Sequence, residues 1–144
     1  MSKKNYDLIV IGGGTAGCAT SYIAAKNGLN VLLLEKTSQL GGSMTGGLVV
    51  PVMNCGNNQV NTAFYNKLIE KSKTIGAQIT YQGNSGWFNP ELLKIILDVM
   101  MDEVGVDVIF LLFRCLFLLI RRSARHRRHL HRLSAVCAER RAFN

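Results

Sequence analysis

The sequence predicts an α/β fold, a parallel sheet with flanking helices, from three observations. Short apolar runs alternate with helical stretches along residues 6–110. Three glycines, Gly12, Gly14 and Gly17, stand where the first run gives way to the first helix. Gly28, Gly76 and Gly105 fall where later helices should stop, and Asn89-Pro90 falls where one should start. Strands that alternate with helices of this length pair in parallel, because each crossover returns the chain in the same direction.

Taken in order, residues 6–11 (YDLIVI) are rich in Ile, Val and Tyr, as a buried parallel strand requires. Residues 15–26 follow as an Ala-rich helix, and Gly28 takes the C-cap region. Residues 30–34 form the second strand, which ends at Glu35. Residues 36–47 make a polar loop with two Gly-Gly pairs, Gly41-Gly42 and Gly46-Gly47. Pro51 makes residues 48–53 an edge or irregular segment, and residues 55–58 a turn follows. Residues 59–75 read as a helix with Val60, Ala63, Phe64, Leu68 and Ile75 inward and Lys67, Glu70, Lys71 and Lys73 in water. Residues 78–82 read as a short strand and 84–87 as a turn. Asn89 then caps a helix with Pro90 at its first position and Glu91 in its first turn. That helix runs to about Glu103, and residues 106–110 read as another buried strand.

The chemistry concentrates at the first junction. Gly12, Gly14 and Gly17 form G-x-G-x-x-G between a strand and a helix, and Glu35 lies 18 residues beyond Gly17 at the end of the next strand. The glycines suit a tight turn, a close approach to a diphosphate, and close helix packing. The uncapped amides and positive end of the helix starting near Thr15 attract that anion, and the acid suits a ribose hydroxyl. A dinucleotide site is therefore expected in a Rossmann-like sheet. The second glycine loop suggests a further backbone surface along an extended ligand; a simple flexible loop is the alternative.

Residues 5–110 resemble the FAD-dependent oxidoreductases of the glutathione-reductase-like class, in which a Leu-Gly-Gly loop follows the fingerprint. The resemblance rests on IGGGTAG at 11–17, LLLEK at 32–36, LGGSMTGGLVVP at 40–51 and FNPELLKIILDVMMDEVGVDVIF at 88–110. It implies FAD, with Gly12, Gly13, Gly14, Thr15, Ala16, Gly17, Glu35 and Lys36 on its ADP half. It also implies Gly41, Gly42, Ser43 and Thr45 along the pyrophosphate toward the flavin. It further implies an incomplete FAD/NAD(P)-binding domain over residues 1–110, since such enzymes run to several hundred residues. No catalytic residue is assigned. Cys18 reads as a small packed hydrophobe. Cys55, near the flavin end of the loop, is a redox thiol only in a minor reading, and Trp87 and Phe88 read as core. An NAD-binding Rossmann module is the other enzyme-class reading.

Composition divides the chain. All eight Lys precede residue 95, and all nine Arg and all three His follow residue 113. Residues 1–113 carry eight Lys against eight acids and no net charge, so the whole formal +8 belongs to 114–144. Residues 111–144 are read as a divergent Arg-rich tail entered through an alternate reading frame, because selection on a fold does not sort Lys from Arg. The competing readings are a membrane anchor and a basic nucleic-acid or nucleotide-binding segment. The apolar run of 108–120 is short for a span of about 20 residues and contains Arg114. The basic stretch shows no aromatic interleaving. His126, His129 and His131 lack nearby ligand partners, so no metal is expected. The four cysteines form no C-x-x-C pair, and a targeting peptide is not expected before the first strand. The composite expectation is a cytoplasmic FAD-binding portion, weakly active or inactive alone. FAD is its partner, and neither a specific nucleic acid nor a membrane is expected.

Overall fold

A computed structural model describes residues 5–51 and 62–111. The order is β1 (Leu8–Ile11), α1 (Thr15–Lys26), β2 (Val31–Leu34), a 3-10 turn (Gly42–Met44), α2 (Thr62–Thr74), β3 (Gln78–Tyr81), β4 (Asn84–Phe88), α3 (Pro90–Glu103) and β5 (Asp107–Ile109). Strands β1, β2 and β5 form a sheet in the order β1-β2-β5. Both pairs are parallel, with Val10 opposite Leu33 and Leu33 opposite Val108. β3 and β4 form a separate antiparallel hairpin. This is the Rossmann-like α/β arrangement that the alternation of strands and helices predicts.

Each helix forms and stops for reasons visible in the chain. α3 opens on Asn89, whose side chain accepts from the Glu91 and Leu92 amides at 2.9 and 3.3 Å, with Pro90 at the first position. Its buried residues, Leu93, Ile96, Leu97, Met100 and Met101, recur at helical spacing on one face. α1 buries Cys18, Ser21 and Tyr22. α2 buries Phe64, Leu68 and Ser72, four residues apart. All three helices close with the same paired bonds around a glycine of positive φ. For α3, the Gly105 amide donates to Asp102 O and the Val106 amide to Met101 O. Gly28 with Leu29, and Gly76 with Ala77, do the same for α1 and α2.

The core lies between the sheet and the helices. Val31, Leu33 and half-buried Leu8, Val10 and Val108 meet Leu93, Leu97, Met100 and Tyr22. Tyr22 and Phe64 join α1 to α2 edge to face at 5.8 Å. β2, in the middle, is buried along its whole length. β1 is only half-buried, and Ile11 is 53% exposed. Among the described residues β1 has a strand on one side only, which corrects the expectation of a fully buried strand.

A second correction concerns residues 84–87, which are strand rather than turn. The reversal is Gln82-Gly83, with φ of 48° and 76°. Two successive positive φ values make the tight hairpin turn whose twist matches the flanking strands. Pro51 lies beside that hairpin at an isolated bridge to Trp87, an edge position as expected. Residues 52–61, with Cys55 and the turn expected there, lie outside the described residues, as does the tail beyond 111. Among the described residues no helix is long and apolar enough to cross a membrane.

Candidate dinucleotide-binding site

The fingerprint occupies the junction from β1 into α1. Gly12 has φ of 100°, the left-handed conformation that turns the chain out of the strand. A Cβ on Gly17 would stand 1.8 Å from Gly12 O, so only glycine lets α1 sit this close to the turn. A Cβ on Gly14 would meet nothing within 4 Å, which leaves room for a ligand there. Gly14 is also the N-cap of α1 and brings no side chain to the first-turn amides. Thr15 and Ala16, at the head of that turn, are exposed.

The two glycine loops are one structure. The Gly41 amide donates to Gly13 O at 2.8 Å, and Gly14 and Gly41 form an isolated parallel bridge. A Cβ on Gly42 would stand 2.9 Å from Gly14 Cα, so the backbones are nearly in contact. The two loops therefore form one continuous stretch of closely packed backbone. Thr45 is fully buried, and its hydroxyl donates to Leu40 O at 2.5 Å, which pins the loop from beneath. Ser43 is exposed, and its carbonyl accepts from the Val49 amide at 2.9 Å.

Glu35 closes the arrangement. The residue is 6% exposed, and its carboxylate points back at the first turn. Oε2 accepts from the Gly13 amide at 2.5 Å, and Oε1 accepts from the Thr37 amide and hydroxyl at 2.8 and 2.9 Å. Burial pushes the carboxyl up, but the Thr37 donors and the Gly13 and Lys36 amides outweigh it and hold the group below its ordinary range. The same donors favour the ionised form of Glu35. The Lys36 side chain is exposed.

Two contributors escaped the reading of the sequence. The Cys18 thiol donates to Gly13 O at 3.2 Å, and burial pushes it up to about 12. It is an inert structural donor as well as the expected packed hydrophobe. Thr37 is the other, and its signal was a hydroxyl two residues after the carboxylate. A separate hollow of about 230 Å³, lined by Asp98, Met101, Asp102, Val106, Val108 and Phe110, shares no residue with this junction. No group of three metal-binding side chains occurs among the described residues.

The family model for FAD dependent oxidoreductases matches residues 7–114, well over half the chain. The chain belongs to this FAD-dependent family. The cofactor of this family is FAD. The NADH:fumarate oxidoreductase of Klebsiella pneumoniae is 35% identical over 94 residues, which are 65% of this chain and 10% of that protein. The digeranylgeranylglycerophospholipid reductase of Methanococcus vannielii is 30% identical over 84 residues, 56% of this chain and 22% of that one. The chain thus spans less than a quarter of either relative. Among solved structures, a myxobacterial chondrochloren halogenase, described as a variant of FAD-dependent halogenases, aligns with 74% of this chain and 28% of its own. It does so at 20% identity and a TM-score of 0.49.

Proposed function

We propose that this chain is the FAD-binding N-terminal portion of a flavin-dependent oxidoreductase. Residues 1–110 form that portion, and residues 111–144 a divergent tail. The observation that carries the reading is the bonded pair of glycine loops with an ionised acid behind them. The residues fit the cofactor. The uncapped first turn of α1 and the open space at Gly14 suit a diphosphate. Gly12, Gly13, Gly14, Thr15, Ala16 and Gly17 would hold its ADP half, with Glu35 on the adenine ribose and Lys36 beside it. Gly41, Gly42, Ser43 and Thr45 would carry the ligand onward, Thr45 by supporting the loop.

When bound, FAD supplies two-electron redox chemistry, and the protein orients and shields it. In this reading the described residues contribute binding and orientation. Substrate and electron acceptor are recognised elsewhere in a whole enzyme, and these 144 residues alone show little or no turnover. The short span of the relatives that the chain covers supports this. A cytoplasmic location belongs to the same reading, supported by a free, buried Cys18 thiol.

Thermal unfolding of the purified chain with added FAD or NAD tests the proposal. FAD should raise the midpoint in a concentration-dependent way and NAD should not. Equal shifts, or none, would refute FAD binding. An absorbance scan tests the second half: substrate-dependent bleaching of a yellow monomer would refute the lack of turnover.

A further inference from the structure

We infer that Thr37 is the positioning residue of the adenine-side acid: it occupies Glu35 Oε1 and leaves Oε2 as the oxygen that meets the ribose. The inference rests on the proposed site and deepens it. A carboxylate has about four acceptor positions, two on each oxygen. Thr37 fills both on Oε1, through its amide at 2.8 Å and its hydroxyl at 2.9 Å. Gly13 fills one on Oε2. The Lys36 amide also acts on the carboxylate, but Oε2 meets only the Gly13 amide at hydrogen-bond distance, so it is the less occupied oxygen and the one beside the fingerprint turn. Thr37 therefore selects which oxygen the ligand finds.

The same hydroxyl lies 2.9 Å from Gln39 O, at the entry to the Leu40-Gly41-Gly42 loop. It has one proton and two acceptors. An ionised Glu35 draws the proton to Oε1; a protonated Glu35 releases it to Gln39. Thr37 O also accepts from the Leu111 amide at 3.3 Å, which anchors the segment to the end of β5. The side chain itself is exposed, so its role is not core packing. The other titratable groups about the carboxylate are the Cys18 thiol, which stays protonated, and the adjacent, exposed Lys36.

The test uses the full chain with Thr37→Val, which removes the hydroxyl and keeps the amide, and Thr37→Ser, which restores the donor. Two readouts are taken: FAD and ADP affinity by titration, and the Glu35 carboxyl midpoint by ¹³C NMR without cofactor. A hydrogen bond to a charged group is strong enough that Thr37→Val should weaken FAD and ADP alike by about tenfold. It should also move the carboxyl midpoint up, and Thr37→Ser should reverse both effects. Unchanged affinity with an unchanged midpoint overturns the inference, as does a loss seen with FAD but not ADP. If the unaltered chain binds neither ligand, the proposed function fails; the carboxyl midpoint still decides whether Thr37 holds the acid.

Discussion

The glycine junction and α3 are held in opposite ways. At the junction, Gly13 is the centre of a polar knot: its amide meets Glu35, and its carbonyl meets the Gly41 amide and the Cys18 thiol. Few side chains are involved, and space is set by atoms that are absent. α3 is held by five buried apolar side chains and one cap. The first kind of order is specific in geometry and intolerant of an added atom at Gly13, Gly17, Gly41 and Gly42. The second is sensitive to lost volume and tolerant of shape. The proposed function belongs to the first, because the protein backbone must approach a ligand closely there. Stability is drawn mostly from the second.

The sharpest way to break the first region is Gly17→Ala. The added Cβ would fall 1.8 Å from Gly12 O, a backbone atom that cannot swing away. Denaturant unfolding should show a loss on the order of 4 kcal/mol, since β1 and α1 must separate. Met100→Ala is the matching break in the second region. Met100 is fully buried, and its truncation should cost about 3 kcal/mol. FAD affinity of the remaining folded protein should be unchanged, whereas Gly17→Ala should abolish it. A loss of affinity in Met100→Ala would mean that the two regions are not separable.

The same contrast explains what could be read from the chain alone. The helix stops at Gly28, Gly76 and Gly105 and the start at Asn89-Pro90 were legible, because backbone chemistry there depends on one or two adjacent residues. The fingerprint was legible for the same reason. The bond from Gly41 to Gly13 was not, since no local rule says that two glycine loops 28 positions apart will pair. Cys18 was missed as a donor because the turn at Gly13 brings its acceptor to it, and Thr37 was missed although its acceptor lies only two residues back. A turn was expected at 84–87, whereas the reversal is at Gln82-Gly83 and residues 84–88 pair with β3.

Glu35→Gln separates charge from shape within the junction. The carboxylate accepts three bonds that an amide oxygen cannot all replace, and the loss should be about 2 kcal/mol at neutral pH. The sign of its pH dependence follows from linkage. The folded carboxyl lies below its unfolded value, so its contribution is complete above the ordinary carboxylate range of about 4.3 and is lost as pH falls through the folded value. Unfolding followed from pH 7 toward acid should show that slope in the unaltered chain and a flatter one in Glu35→Gln. Identical slopes would place the acid outside the polar knot.

Asn89→Ala asks whether a polar contact behaves differently when it is remote from the ligand. Asn89 Oδ1 accepts from two first-turn amides of α3, and water can replace it at this partly exposed end. The cost should be about 1 kcal/mol, the usual value of a lost N-cap. FAD affinity should stay level, because α3 reaches the second glycine loop through Leu97, two turns further on, near the place a Gly41 Cβ would occupy. If affinity falls with so small a loss of stability, fraying at the start of α3 is transmitted along the helix to Gly41. The apolar region would then be acting on the site rather than only supporting it.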